Sequence, residues 1–292
     1  MPALPLVSQY ADEMRVRQYS PVTIRDRLAV LHRLTLFTGR PLAACTPDEL
    51  RGFQSTFAHL SPASVNVYSR HLRAFFDWAA KRRLIAENPC LDFVIPRVPK
   101  GRPHPTATED LRLIFSCTRG ALRMAYVLAT FTGLRRGEIC RLQRHDLSLG
   151  ADATALIHGK GRKERLAPLL PPVVYELHEY GLPRTGWVVL RDGRRYEPER
   201  LSVDSHYHLR GLGVQTTLHS MRGAFATGAA QVTRDPLFVR DLLGHESVLT
   251  TEIYMGTSMK DAHARLAGLT DAAESILGPP RGHLRSVRES GA

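Results

Sequence analysis

Residues 132–139 read Thr-Gly-Leu-Arg-Arg-Gly-Glu-Ile, and they decide how the second half of this 292-residue chain is built. Gly133 closes a helix-forming run that ends in Leu122-Arg-Met-Ala-Tyr-Val-Leu-Ala, as glycine does at helix ends. Gly137-Glu138-Ile139 opens the next helix, so Arg135 stands at a helix junction, where a side chain can point into a cleft. An isolated arginine at such a place is most often a solvated surface group. The chemical alternative is a guanidinium that grips a phosphate bidentately, with Glu138 as its buttress.

Downstream, Thr154-Ala-Leu-Ile-His158 and Arg165-Leu-Ala-Pro-Leu169 are short strand-like runs joined by Gly159-Lys160-Gly161-Arg162-Lys163, a hairpin pattern. Basic hairpin tips are usually just solvated. An ammonium there can also enter a DNA groove and protonate a leaving oxygen, once burial or neighbouring cations lower its pKa. His219-Ser220-Met221-Arg222 sets a histidine and an arginine on one helix face, where both can serve one phosphate. Leu242-Leu243-Gly244-His245 puts a histidine after a glycine helix stop, and nine residues later comes Tyr254. Each alone has an innocent reading: His-x-x-Arg arises by chance in a chain with 13 histidines, and a tyrosine is commonly a core aromatic.

The combination is another matter. Thr-Gly-Leu-Arg-x-x-Glu, Gly-Lys-Gly-x-Lys-x-Arg, His-x-x-Arg, Leu-Gly-His and the tyrosine nine residues on occur in that order between residues 132 and 254. In this the chain resembles the tyrosine recombinase (phage integrase) family. The resemblance implies a site-specific recombinase whose tyrosine hydroxyl, here Tyr254, attacks a DNA phosphodiester to give a 3′-phosphotyrosyl link and a free 5′-hydroxyl. Bond energy is conserved, so neither ATP, a metal nor any other cofactor is expected. Arg135 and Arg222 would bind the non-bridging oxygens, Lys160 would protonate the 5′-oxygen, His219 would assist Tyr254 and His245 would bond the phosphate. The implied partners are double-stranded DNA and further copies of the chain, in a homotetramer on paired sites. The alternatives are relaxation of DNA by a type IB topoisomerase, with the same side chains, and a non-catalytic DNA-binding regulator.

Toward the N-terminus, Ser20-Pro21 and Ser61-Pro62 each set a capping hydroxyl before a proline at the first helical position. Thr46-Pro-Asp-Glu49 is a capping box, as is Thr106 with Glu109. The clearest helix carries Val65, Tyr68, Leu72, Phe75, Phe76 and Ala79 on one face. Arg70, Arg73, Lys81, Arg82 and Arg83 lie off that face or just past it and, with Arg162, Lys163 and Arg165, are candidate DNA contacts. A further helix is expected around Tyr10–Val16, and a further strand over Trp187–Leu190. Pro96, Pro99, Pro103 and Pro105 mark a linker. The expected organisation is therefore a helical core-type DNA-binding domain over 1–95, a linker over 96–105, a mixed α/β catalytic domain over 106–277, and a tail over 278–292 without periodicity. The fold class is mainly α with a small β-sheet. Ala262, Leu266, Leu269, Ala273 and Ile276 recur at helical spacing, for a helix that either packs on its own domain or, as the resemblance implies, is donated to a neighbouring protomer. Before Ser20 there is no room for the arm-type domain of larger phage integrases, so a small form is expected.

Composition agrees. Apolar residues at 43% and charged residues at 23% are globular values. Forty basic against 28 acidic residues give a net charge of +12, which favours a polyanionic partner. No apolar run is long enough to span a bilayer and the first residues lack a signal-peptide pattern, so a cytoplasmic, membrane-free protein is expected. Cys45, Cys90, Cys117 and Cys140 include no Cys-x-x-Cys pair and read as small buried residues. His206-Tyr207-His208 has no carboxylate or cysteine cluster beside it to complete a metal site.

Overall fold

The computed structural model describes residues 6–91, 93–98, 104–159, 164–244 and 259–278. The chain divides into two compact units, Met1–Gly101 and Arg102–Ala292.

The first unit holds helices α1 (Leu6–Val16), α2 (Pro21–Thr38), α3 (Pro47–Ser55) and α4 (Pro62–Lys81). Three of them start on the caps visible in the sequence. Ser20 Oγ accepts from the Thr23 amide at 3.1 Å, and Ser61 Oγ from the Ser64 amide at 3.3 Å. Thr46 and Glu49 close the reciprocal box, with the Glu49 amide donating to Thr46 Oγ1 and the Thr46 amide to Glu49 Oε2. The α4 stripe buries Leu72, Phe75, Phe76 and Ala79, with Val65 and Tyr68 partly covered by the same cluster. Aromatic rings meet edge-on in that core, Tyr10 with Phe75 at 5.3 Å and Phe53 with Phe57 at 4.8 Å. Of the basic candidates, Arg70, Lys81, Arg82 and Arg83 are exposed. Arg73 is turned inward instead: its Nη2 donates to the carbonyls of Cys90 and Phe93 at 3.2 and 2.8 Å and so ties down the chain that leaves α4. Arg82 pairs with Glu13 of α1.

In the second unit α5 (Thr108–Cys117) and α6 (Gly120–Thr132) replace the single helical stretch expected up to Gly133. The break falls at Thr118, whose hydroxyl folds back onto the Ile114 carbonyl. The expected capping box at Thr106 does not form. Ala107 occupies the cap position, and the Thr106 hydroxyl pairs with that of Thr216 while its amide donates to the Ser220 carbonyl. A tertiary partner has won over the local one. Helix α6 is buried throughout Met124–Thr132 and is the axle of the unit, with α8 (Pro171–Tyr180) and α10 (Leu218–Thr233) packed on it.

Beyond α7 (Arg136–Ile139), strands β1 (Leu147–Ser148), β2 (Thr154–His158) and β3 (Glu164–Pro168) form an antiparallel sheet, with Ile157 opposite Arg165 and His158 opposite Glu164. The strand expected over Trp187–Leu190 is confined to β4 (Leu190–Arg191), which pairs with β5 (Arg194–Arg195) across Asp192-Gly193, both at positive φ. Trp187 makes only an isolated bridge to Gln143. Helices α9 (Pro198–Gly211) and α11 (Pro236–Leu243) complete the wall around α6 and α10. After the undescribed 245–258 come α12 (Met259–Arg265) and α13 (Gly268–Leu277), and α13 lies on its own domain against α5, α8 and α10. A Cβ at Gly228 would meet Leu269 at 3.0 Å, so that glycine lets α13 approach α10 closely. Cys90 and Cys140 are buried as expected, whereas Cys45 is half-buried at the edge of the first unit's core and Cys117 is exposed at the end of α5. The tail past Gly278 lies outside the described residues.

Candidate active site

Gly133, at φ +66°, ends α6 in the left-handed region and lets three elements meet. A Cβ there would come within 2.6 Å of Phe225 and 2.7 Å of Leu243, so only glycine allows α10 and the end of α11 this close. The chain then extends through Arg135, the residue that caps α7. Glu138, three residues on and buried, accepts from the Arg135 amide at 2.8 Å and from Arg135 Nη1 at 3.0 Å. The arginine reaches on to the end of α11, donating from Nη1 to the Leu243 carbonyl at 3.3 Å and from Nη2 to that of Gly244 at 3.1 Å.

Arg222, on the second turn of α10, is only 4% exposed. It donates from Nη2 to the Leu243 carbonyl at 2.8 Å and from Nη1 to the Gly133 carbonyl, and its Nη1 lies 3.8 Å from Glu138 Oε2. Arg165 reaches Glu138 from β3, with Nη1 to Oε1 at 3.0 Å, Nη2 to Oε2 at 2.9 Å and Nε to the Leu242 carbonyl at 2.9 Å. Three guanidiniums thus gather around one carboxylate and the carbonyl end of one helix.

Burial pushes the Glu138 carboxyl pKa upward, but the hydrogen bonds and charge of Arg165 and the hydrogen bonds of Arg135 outweigh it and hold the group below the usual carboxylate range. Burial, and then the charge of Arg135, push Arg222 down to about 10, still cationic at neutral pH. Three positive charges against one negative leave the cluster cationic, tempered by the negative end of the α11 dipole. Such a cluster suits a phosphate. His219, exposed on the first turn of α10, shares with Arg222, Gly223, Ala226 and Leu243 an open cleft of about 590 Å³.

The structure therefore brings together Arg135, Glu138, Arg222 and His219 of the sequence-derived set. Lys160, His245, Tyr254, Arg162 and Lys163 lie outside the described residues. Arg165 is placed differently from its expected role as a DNA contact: its side chain is 9% exposed and lies behind Glu138. The signal for this is the alternation of β3, in which Arg165 shares a face with buried Ala167 while Leu166 points outward. Sequence reasoning also passed over His158, Asp146 and Glu164, whose ring and carboxylates join at 3.0 and 2.9 Å at the base of the hairpin. Among the described residues no group of three or more His, Cys, Asp or Glu is placed to hold a metal, and His208 Nε2 is paired with Thr118 Oγ1 at 2.8 Å.

Comparison with known proteins decides the family. The phage integrase family model matches residues 106–261, over half of the chain. The chain belongs to the phage integrase family. Its first unit carries the matching partner module, the phage integrase N-terminal SAM-like domain, over residues 6–86. Over 295 aligned residues this recombinase is 30% identical to tyrosine recombinase XerC of Methylobacterium sp. (strain 4-46), covering 90% of this chain and 91% of that protein. Among solved structures it is similar to a lambda integrase (75–356) dimer bound to a COC′ core site, at TM-score 0.67 and 17% identity over 83% and 94% of the two chains. It is also similar to a lambda integrase tetramer bound to a Holliday junction, at TM-score 0.64 and 17% identity over 84% and 77%. The protein is a tyrosine-type site-specific recombinase, and membership favours this over the topoisomerase and regulator readings. No helix among its described residues is long and apolar enough to cross a membrane.

Proposed function

We propose that this recombinase cuts and rejoins double-stranded DNA through Tyr254, with Arg135 and Arg222 as the phosphate-binding pair. The observation that carries the reading is the convergence of those two guanidiniums on the Leu243 carbonyl, two residues before His245 and in the cleft that His219 shares. When the Tyr254 oxygen attacks phosphorus, negative charge grows on the non-bridging oxygens, and two guanidiniums gathered at one place stabilise that charge. A free phenol has a pKa near 10, so the nucleophile needs a proton acceptor, and His219 supplies one. Lys160 gives its proton to the departing 5′-oxygen and His245 bonds the phosphate. A 5′-hydroxyl from a second strand then reverses the step.

In this reading residues 1–95 are the core-type DNA-binding domain, 96–105 the linker and 106–277 the catalytic domain. The charge of +12 supports DNA binding, as do the DNA-bound lambda integrase structures. The lambda integrase tetramer on a Holliday junction supports assembly of four copies on paired sites. The cytoplasm of a prokaryotic or phage-infected cell, where the DNA lies, is the place of action.

Covalent trapping tests the reading. Wild type and Tyr254→Phe are incubated with fragmented DNA of the source cell and its mobile elements, denatured and digested. Nucleotide-labelled protein is expected from wild type alone. Label on neither, with specific binding by both, would replace the recombinase mechanism by the regulator reading.

A further inference from the structure

We propose that Arg165 is a positioning residue for the arginine site: it makes no contact with DNA, and it fixes Glu138 and the end of α11 so that Arg135 and Arg222 hold their places. The inference rests on the active-site reading above. Each of the three nitrogens of its guanidinium donates inward, two to the separate oxygens of Glu138 and one to the Leu242 carbonyl. The fork matches a carboxylate bidentately, which an ammonium cannot do.

One shared atom and one shared helix end carry the effect onward. Glu138 Oε1 accepts at 3.0 Å from both Arg165 Nη1 and Arg135 Nη1, so a shift of the one guanidinium displaces the anchor of the other. Likewise Arg165 holds the Leu242 carbonyl while Arg222 and Arg135 hold that of Leu243, the next residue along the same helix end. The arginine itself has little room to move. A Cβ at Gly244 would stand 3.2 Å from its Cδ, so the side chain runs directly beneath that glycine. Its placement also costs something locally, since β3 turns a charged side chain inward and leaves Leu166 38% exposed. A charge turned inward is sustained by a buried partner, and here the partner is the carboxylate that holds Arg135.

The test uses Arg165→Lys in the full-length protein, with Arg165→Met as a second variant and thermal melting to establish that each is folded. Three measurements are made beside wild type: affinity for site DNA across a salt series, single-turnover cleavage of ordinary DNA, and cleavage of DNA with a methylphosphonate at the scissile position. In the methylphosphonate a neutral methyl replaces one charged oxygen, so less charge needs positioned cations. The expected result for Arg165→Lys is unchanged affinity and salt slope, with cleavage of ordinary DNA slower by about a hundredfold, the scale of a misplacement near 1 Å. On the methylphosphonate the deficit relative to wild type should shrink to under about tenfold. A salt slope reduced by about one would make Arg165 a phosphate ligand and overturn the inference. Equal deficits on both substrates, or wild-type rates on both, would overturn it too. If wild type itself forms no Tyr254 adduct on either DNA, the active-site reading fails and takes the inference with it. An active wild type with an unaffected variant defeats the inference alone.

Discussion

His158 shows how much one side chain at a strand end can govern. It closes the β2–β3 ladder at its last pair, with Nε2 3.0 Å from Asp146 Oδ1 and Nδ1 2.9 Å from Glu164 Oε1. His145 faces the same Asp146 oxygen at 3.4 Å. The hydrogen bond that His158 donates to Asp146 raises its pKa above the usual histidine value, against desolvation, and the charge of Asp146 and the hydrogen bond and charge of Glu164 add to the rise. A histidine whose folded pKa is raised stabilises the fold fully below its unfolded value, near 6.5, and that stabilisation is lost as pH rises through the folded value. Amides of β2 and β3 should therefore exchange more slowly at about pH 6 than at about pH 8, after correction for intrinsic rates. His158→Gln should remove the difference. A pH effect equally strong in the variant would assign it to another group. None of this was legible in the sequence, because the pairing of His158 with Glu164 needs the strand register, and Asp146 arrives from a different turn.

Among the elements, helix starts were the most legible feature and helix meetings the least. Ser20, Thr46 and Ser61 cap where the sequence places them because their partners lie three residues away. Thr106 carries the same local pattern but is captured by Thr216, 110 residues on, a competition that local spacing cannot reveal. Thr46→Ala should cost about 1 kcal/mol of stability by chemical denaturation, the usual worth of such a cap. Gly133→Ala should cost more. It places a Cβ in the left-handed region, about 1–2 kcal/mol by itself, and drives it into Phe225 and Leu243. Because Leu243 also carries the carbonyl that Arg135 and Arg222 share, cleavage should fall along with the melting temperature. A variant with wild-type melting and cleavage would show that the helix ends relax at little cost.

At the scale of the molecule, the motif order from Arg135 to Tyr254 made the family legible, and the helical patterning made the mainly α class legible. What the sequence could not show is which arginines face outward. Arg70 and Arg73 lie three residues apart on α4 and looked alike, yet Arg70 is exposed while Arg73 holds two backbone carbonyls. The same blindness applied to Arg165, whose direction depends on the strand face. In the proposed DNA complex, Arg70→Ala should lower the slope of log affinity against log salt by about one. Arg73→Ala should leave that slope unchanged and lower the unfolding midpoint of the protein instead. Reversal of the two outcomes would exchange their roles.

Part of the Arg135 guanidinium is already engaged: Nη1 and Nη2 donate to the carbonyls of Leu243 and Gly244, at 3.3 and 3.1 Å. In the proposed site a phosphate oxygen would compete with these backbone oxygens for the arginine. Arrival of the phosphate would then be an exchange of tenants, and an exchange of one hydrogen bond for another yields little net affinity. Its effect would be felt by the evicted party: the end of α11 would lose its hold on Arg135, and so register the loaded phosphate before any bond in the DNA has changed.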